Sequence, residues 1–316
     1  MVRDMTDSSL DTAGAKRFYP MAFLSIIRPQ NCIIGGLTVI AGIAMAYNIA
    51  GIGVLSDYFT LFVYGYITYF FVAAGGNVVN DIFDIEVDKI NRPHRALPSG
   101  RMTVRQAWLF VGVLSVAGLL FALLTGFYSA LIVLIFEVIG YAYAAKVKTL
   151  GLAGNFMVAF SFAFGVLYGA FVFGEAVGFS LTNIIPIPHW LFFFTAFLIL
   201  QARETIKGAE DVEGDRARDV RTIARVYGYN VAAGVASILN FIGVVCYTLI
   251  WILGFASWDL WPLLLLGAGI VLGAGIAPLT GPTEKRALLI GSTLDKVGAL
   301  VGLIAFVIIP FYAILF

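Results

Sequence analysis

Charged residues are scarce in this chain of 316 residues. Lys, Arg, Asp and Glu make up 12% of the sequence, while hydrophobic residues make up 60% and the mean hydropathy is +0.94. A soluble domain usually carries about 25% charged residues. The shortage therefore excludes an ordinary soluble protein and predicts a membrane protein. The net charge of +1 excludes no class of partner.

Cysteines and the sequence signatures of several enzyme classes are rare or missing. The chain has only two cysteines, Cys32 and Cys246, and both lie in apolar segments. They are expected to be buried apolar side chains, and they exclude a disulfide scaffold or a cysteine-based zinc site. The sequence also has no Walker A motif, no Rossmann glycine fingerprint and no nucleophile elbow.

Long apolar runs dominate the chain instead. A membrane-spanning helix needs about 20 mostly apolar residues. Nine such runs are predicted to span the membrane, at 32–50, 58–80, 104–126, 128–145, 152–173, 189–206, 230–254, 260–280 and 293–315. We therefore expect an all-α membrane protein with nine transmembrane helices around a central cavity. Residues 1–316 should form a single polytopic domain that includes a polar tail over residues 1–20.

The positions of the basic residues predict how the chain is oriented. All 20 Lys and Arg residues lie in the N-terminal segment or near the links that follow the even-numbered spans. The opposite links, such as "AGIGVLSD" and "GFASWDL", contain none. Cytoplasmic loops carry the excess of Lys and Arg. We therefore expect a cytoplasmic N-terminus, a C-terminus outside the cell membrane and an active site on the cytoplasmic side.

Acidic residues gather in two windows, each at the cytoplasmic end of a predicted span. The first window, at the end of the second span, contains Asp81, Asp84, Glu86 and Asp88. The second window, at the end of the sixth span, contains Glu204, Glu210, Asp211, Glu213, Asp215 and Asp219. Together they hold ten of the 19 carboxylates, so each half of the chain supplies one cluster.

The spacing within the windows indicates convergence on one side of a helix. Asn80, Asp84 and Asp88 recur every four residues, as do Asp211 and Asp215, and this spacing puts side chains on one helical face. Carboxylates that close repel one another unless a cation lies between them, and hard oxygen ligands suit Mg²⁺. A solvated loop is the simpler interpretation of one such cluster. Two matching clusters on one side of a membrane protein favour a metal site.

These motifs resemble those of a known family of membrane enzymes. "NDIFDIEVDKINRPHRALPSG", residues 80–100, resembles the first aspartate-rich motif of the UbiA superfamily of intramembrane prenyltransferases. "EDVEGDRARD", residues 210–219, is similar to its second motif, and "IRPQN" before the first span also fits. Within the superfamily, the first motif is most similar to the archaeal digeranylgeranylglyceryl phosphate synthases, with chlorophyll synthases next. The resemblance covers essentially the whole chain.

The resemblance implies transfer of a polyprenyl group from its diphosphate to an acceptor. For the archaeal enzymes, a geranylgeranyl group passes from geranylgeranyl diphosphate to the free hydroxyl of geranylgeranylglyceryl phosphate and forms the second ether bond of archaeal membrane lipids. A quinone precursor or a chlorin is the alternative acceptor. A secondary transporter is a further alternative, because intramembrane acids and repeated halves also fit that class. The expected partners are the polyprenyl diphosphate donor, a lipid-like acceptor and membrane lipids. We expect no nucleic-acid partner and no obligate protein partner.

The resemblance also implies a set of metal ligands. Two Mg²⁺ ions would bridge the diphosphate and neutralise the charge that grows as the C1–O bond breaks. The residues expected to hold them are Asn80, Asp81, Asp84, Asp88, Asp211 and Asp215. The four aspartates Asp84, Asp88, Asp211 and Asp215 are thereby also expected to be catalytic.

Further side chains are candidates to contact the substrates. Those expected to bind the leaving diphosphate as fixed cations are Arg92, Lys146 and Lys207. Arg28, beside Asn31, is the candidate for the acceptor's phosphate, although it could equally be a positive-inside anchor. The ring of Tyr141 could stabilise the allylic carbocation, although a tyrosine there is also typical of an interfacial belt. Glu137 lies inside the fourth span, and the sequence suggests no role for it.

Overall fold

The structure, a computed structural model, describes residues 19–146, 152–178, 185–212 and 222–315. These residues form α-helices and short 3₁₀ turns, and none of them lies in a β-strand. Three of the α-helices are short: α1 (Pro20–Ile26), α4 (Ile85–Asn91) and α9 (Ile223–Tyr227). The 3₁₀ turns span Leu55–Tyr58 and Trp258–Leu260.

Nine helices in the described ranges have 20 residues or more. They are α2 (Pro29–Ala50), α3 (Phe59–Phe83), α5 (Val104–Thr125), α6 (Phe127–Lys146), α7 (Leu152–Ala176), α8 (Ile187–Glu210), α10 (Tyr229–Ile252), α11 (Trp261–Thr280) and α12 (Lys285–Leu315). Each corresponds to one predicted span, and most boundaries agree within a few residues. The largest difference is at α12, which begins eight residues before the predicted position 293. The prediction followed the apolar run, and the first turns of α12 carry charged residues that lie outside that run.

Eight of these helices are long and apolar enough to cross a membrane. The exception is α8, whose C-terminal half carries polar residues that lower its hydropathy, including Gln201, Arg203, Glu204 and Lys207. A ninth crossing and the sides of the two termini therefore stay predictions.

Helix α2 joins the two halves of the bundle, because it packs against α3, α7 and α12. Its crossing with α7 depends on small residues. A Cβ atom at Gly42 would lie 2.2 Å from the backbone oxygen of Val166, and one at Gly169 would lie 2.3 Å from that of Val39. Small residues let helix backbones approach closely within a membrane, so glycine is needed at both positions.

The short segment "TGFYS", residues 125–129, divides two helices. Helix α5 ends at Thr125 and α6 begins at Phe127. The Glu175 side chain of α7 accepts hydrogen bonds of 2.8 Å from the backbone N–H groups of Tyr128 and Ser129. It thereby caps the N-terminus of α6, where the first N–H groups lack partners within the helix. Gly126 leaves room for this carboxylate, because a Cβ atom there would lie 2.1 Å from its carbon.

Candidate functional site

The first acidic window lies where α3 passes into α4. Asp84 stands at the junction, and helical hydrogen bonds continue through it. The backbone N–H of Asp84 donates to the oxygen of Asn80 at 3.0 Å, and that of Asp88 donates to Asp84 at 2.8 Å. The four-residue spacing of these side chains is therefore kept, as the sequence predicted. Asn80 and Asp84 are half-buried, whereas Asp88 is buried.

Two buried carboxylates of this window share an arginine. The Arg95 Nη1 group donates to Asp88 Oδ2 at 2.6 Å and to Asp81 Oδ1 at 3.2 Å. The guanidinium group of Arg28 also donates to Asp81 Oδ1. Asp81 and Asp88 are each 5% exposed. Buried carboxylates are tolerated when such partners neutralise them, and a cation does lie between these two.

The backbone around Arg28 explains how it reaches Asp81, 53 residues away. Arg28 forms the corner between α1 and α2, and its φ of +52° is the only positive φ of a non-glycine residue within the described ranges. The side-chain amide of Asn77 donates to the oxygen of Ile27 at 2.8 Å and ties this corner to α3. Non-glycine residues adopt this conformation at a cost of roughly 1–3 kcal/mol, and such strain clusters at functional sites.

Arg95 is a candidate site residue that the sequence analysis missed. Its loop folds back so that Ala96 and Leu97 are buried in the core beside α3, and the N–H of Met102 donates to the oxygen of Ala96 at 3.1 Å. This fold turns Arg95 towards the acids. Arg92, which the sequence favoured, is exposed and has no ion pair within the described part of the chain. Arg92 and Arg95 both belong to "NRPHR". The motif therefore predicted a cation near the acids but did not indicate which arginine it would be.

The second acidic window begins at the C-terminus of α8. Asp211 is the C-cap residue of this helix and its side chain is exposed, and Lys207 is half-buried one turn earlier. The Oε1 atom of Glu210 is buried and has no hydrogen-bond partner among the described residues. Asp215 lies outside the described residues, so its predicted proximity to the first window is untested.

The residues that are described fit a magnesium site in chemistry, although they do not complete one. Within the described ranges, no three His, Cys, Asp or Glu side chains are close enough to hold a metal ion. The donors at the end of α3 are carboxylate oxygens and an asparagine amide, the hard ligands that Mg²⁺ prefers. Two of the carboxylates already converge on one cationic nitrogen. The donor set thus suits a hard cation rather than a soft one.

Tyr141 packs against α3 and α5. Its side chain is half-buried, and its hydroxyl hydrogen-bonds with that of Ser115 on α5. The phenol oxygen would lie 3.1 Å from a Cβ atom at Gly75 of α3. Lys146 ends α6, but its side chain lies outside the description. Asn31 is exposed in the first turn of α2.

A model of the UbiA prenyltransferase family matches residues 35–287, which is most of the chain. The chain belongs to the UbiA prenyltransferase family. It is therefore a prenyltransferase and an integral membrane protein, and the transporter alternative is removed.

Curated proteins resemble the chain along most of their length. The digeranylgeranylglyceryl phosphate synthase of Methanopyrus kandleri is 33% identical over 285 residues, which cover 90% of this chain and 97% of that protein. The synthase of the same name from Pyrococcus furiosus is 35% identical over 289 residues, covering 90% and 95%. The one from Pyrococcus horikoshii is 37% identical over 227 residues, covering 72% and 76%.

Solved structures of UbiA proteins share the fold. A structure described as concerning digeranylgeranylglyceryl phosphate synthase in membranes superposes with a TM-score of 0.73 at 29% identity, covering 92% of this chain and 98% of that one. An apo UbiA homolog from Aeropyrum pernix gives 0.70 at 16% identity, covering 87% and 97%. A UbiA homolog from Archaeoglobus fulgidus bound to GPP and Mg²⁺ gives 0.59 at 16% identity, covering 90% and 99%.

Proposed function

We propose that the chain transfers a geranylgeranyl group from geranylgeranyl diphosphate to the free hydroxyl of geranylgeranylglyceryl phosphate. The observation that carries this proposal is the likeness, over nearly the full length of both chains, to relatives named digeranylgeranylglyceryl phosphate synthase. The product would contain the second ether bond of an archaeal membrane lipid. The working end would face the cytoplasm, since the basic residues gather there, and one domain would make up the chain.

Magnesium fits this proposal, because the donor set is hard and a UbiA homolog is described as bound to GPP and Mg²⁺. We propose that two ions are held, with ligands from both windows: Asn80, Asp84, Asp88, Asp211 and Asp215. When bound, Mg²⁺ supplies positive charge that balances the diphosphate as its bond to carbon breaks.

We assign Asp81 to holding arginines rather than primarily to the metal. Its carboxylate already accepts from Arg28 and Arg95, so it would reach a metal ion only by releasing one of them. A guanidinium group carries five N–H donors in a fixed plane. Both arginines therefore keep donors for phosphate oxygens after binding Asp81. Arg95 would bind the diphosphate, and Arg28 with Asn31 would bind the phosphate of the acceptor.

Other cations would hold the leaving group at the same end of the bundle. Lys207 lies one turn before Asp211 on α8, and Lys146 ends α6. Arg92 is exposed at the end of α4 and could turn towards a bound diphosphate. Fixed cations favour the step in which charge moves onto the leaving oxygen.

The prenyl group would lie below this end, beside α3. A Cβ atom at Gly76 would have no other atom within 4 Å among the described residues, so the helix borders open space there. Gly76 is four residues, about 6 Å, from Asn80 along the helix. Breaking of the C1–O bond leaves an allylic cation, which the ring of Tyr141 would stabilise. The acceptor hydroxyl then attacks C1, and its proton passes to the diphosphate.

A test of acceptor choice checks this function. The purified chain, in lipid nanodiscs with Mg²⁺, would receive radiolabelled geranylgeranyl diphosphate and one acceptor at a time. The acceptors are geranylgeranylglyceryl phosphate, 4-hydroxybenzoate and a chlorophyllide. We expect labelled ether product with the first alone. Label in the aromatic or the chlorin acceptor, and none in the glycerol lipid, would overturn the proposed acceptor in favour of that one.

A further inference from the structure

Asn77 of α3 makes a long-range contact that the proposed reaction does not use. It lies one turn before Asp81, so both side chains lie on the same face of α3. The Asn77 side-chain amide donates to the backbone oxygen of Ile27 at 2.8 Å, across 50 residues of sequence. A carbonyl oxygen only accepts, so the amide must present its N–H₂ group to it. Asn77 therefore holds the backbone just before Arg28, while Asp81 binds the guanidinium group of Arg28 itself.

A second donor reaches the same oxygen. The thiol of Cys32 donates to the Ile27 oxygen at 3.2 Å, and the Asn77 amide also donates to the sulfur of Cys32 at 3.6 Å. Ile27 and Cys32 are both buried in the core beside α3. A thiol is a weak donor, so Asn77 is the stronger partner of this oxygen. Buried carbonyl groups are nearly always hydrogen-bonded, so loss of the amide would leave Ile27 poorly satisfied.

The orientation of the Ile27 carbonyl decides the backbone conformation of Arg28. The peptide group is planar, so this carbonyl fixes the plane that contains the backbone nitrogen of Arg28. A rotation of that plane about the N–Cα bond is a change in φ of Arg28, which is +52°. A left-handed φ is unfavourable for a residue that has a Cβ atom and persists only where the surroundings impose it. The hydrogen bond from Asn77 is one such restraint.

The residue after Arg28 limits the conformation that it could adopt instead. Pro29 follows it and begins α2. A residue before proline is disfavoured in the right-handed helical region and prefers extended backbone. An Arg28 that lost its restraint would therefore rotate to an extended conformation with a negative φ. Because that rotation redirects the Cα–Cβ bond, the guanidinium group would move away from Asp81 and the end of α3.

We propose that Asn77 is a positioning residue, which acts through the Ile27 carbonyl to keep the Arg28 guanidinium group aimed at the phosphate of the acceptor. The inference rests on the proposed function, in which Arg28 binds that phosphate. The amide nitrogen of Asn77 is already used within the protein, by Ile27 and Cys32, so Asn77 acts through Arg28. The diphosphate of the donor is held by Arg95 and the metal ions, so Asn77 serves binding of the acceptor alone.

The test compares the KM values of the two substrates. Asn77→Leu keeps the approximate size of the side chain and removes its donors. It should raise the KM for geranylgeranylglyceryl phosphate by about tenfold to hundredfold, which corresponds to the loss of a hydrogen bond to a charged group. The KM for geranylgeranyl diphosphate and kcat should change little, because the lost contact is made equally in the ground state and the transition state.

Ser25→Ala is the matched control. The Ser25 hydroxyl donates to the oxygen of Ala22 at 3.0 Å within α1. The change therefore removes a bond between a side chain and a carbonyl next to the same corner, without freeing the Ile27 oxygen. It should leave the KM for both substrates unchanged.

An acceptor without a phosphate separates positioning from general damage to the fold. Geranylgeranylglycerol has the same hydroxyl and no phosphate for Arg28 to bind. With this acceptor, Asn77→Leu should be as fast as the wild-type enzyme, whereas a purely structural role would slow transfer to both acceptors alike. Asn77→Leu added to Arg28→Ala should raise the KM for geranylgeranylglyceryl phosphate no further, because the direction of a missing guanidinium group cannot matter.

Three results would overturn the role of Asn77. They are an unchanged acceptor KM in Asn77→Leu, equal losses with and without the phosphate, and additive losses in the double variant. If Asn77→Leu does not fold, Asn77→Ala takes its place with the same expectations. Failure of the proposed function would be seen in the wild-type enzyme itself, which would not label geranylgeranylglyceryl phosphate, and the role of Asn77 would then fall with it.

Discussion

Two buried aspartates, one in each half of the bundle, differ in their partners. Asp81 on α3 accepts from both Arg28 and Arg95. Asp295 on α12 is 0% exposed, and neither of its carboxylate oxygens has a hydrogen-bond partner within the described ranges. Asn240 and Arg203 lie near it, but Arg203 Nη1 donates to Glu204 at 2.8 Å instead. The first acid is therefore paired with two arginines, whereas the second has no hydrogen-bonded partner among the described residues.

The two aspartates should affect the free energy of unfolding in different ways. Removing one partner from a buried ion pair leaves an uncompensated charge and is strongly destabilising. Removing a buried polar group that lacks partners takes away a cost of desolvation. The acids at the end of α3 should therefore depend on their arginines for stability, while replacing Asp295 should cost no stability. Function and stability can then be tested separately in the two halves.

Withdrawal of magnesium tests the two acidic windows together and should have the largest effect. Adding EDTA in excess should stop product formation, because the diphosphate leaving group would no longer be neutralised. Mg²⁺ added back should restore it, as measured by transfer of labelled prenyl group in nanodiscs. Undiminished transfer in EDTA would show that neither acidic window needs to bind a metal ion.

Asp84→Ala tests the first window alone. Loss of a carboxylate that would hold the metal should lower kcat by about a thousandfold or more, the range for removing groups that stabilise developing charge. The matched control is Glu86→Ala, since Glu86 is exposed and its one ion pair within the described ranges is with Lys89, at 2.7 Å on the surface. Transfer rates for both should be measured at saturating substrates.

The same substitution at Asp211 tests whether both halves contribute. Asp211→Ala should reduce kcat as severely as Asp84→Ala, with both proteins still folded and monodisperse. A fully active Asp211→Ala enzyme would confine the metal site to the first half of the chain.

Arg95→Ala tests the dependence of the first window on its cations. It leaves Asp88 without its partner and Asp81 with only Arg28, so the free energy of unfolding should fall by about 3–5 kcal/mol. Arg92→Ala is the control: its side chain is exposed, and the change should stay within about 0.5 kcal/mol. Unfolding in mixed micelles measures both. Equal stability of the two variants would show that the arginine–aspartate cluster contributes little.

Much of the fold could be predicted from the sequence, because membrane helices need long apolar runs. Each such run can be recognised from consecutive residues, without knowledge of the rest of the fold. The shared helical face of Asn80, Asp84 and Asp88 could be predicted for the same reason, since it depends only on local helical geometry. Asp215 lies outside the described residues, so the meeting of the two windows stays a prediction.

The partners of these residues could not be predicted, because they depend on how separate helices pack. The pair between Arg28 and Asp81 requires the corner before α2 to lie against α3. Arg95 was overlooked because the turn that aims it depends on the burial of Ala96 and Leu97.

Asp295→Asn should have the smallest effect and tests the second half of the comparison. The substitution keeps the shape of the side chain and removes an ionisable group that has no hydrogen-bond partner among the described residues. The free energy of unfolding should rise by about 1 kcal/mol, since an aspartate buried without a partner must either keep an unpaired charge or take up a proton on folding, and both cost free energy. Asp81→Asn, the matched change in the first half, should lower it, because two arginines would lose a carboxylate. A fall in both variants would mean that Arg203 and Asn240 neutralise Asp295 as the arginines neutralise Asp81, and the two halves would then be alike.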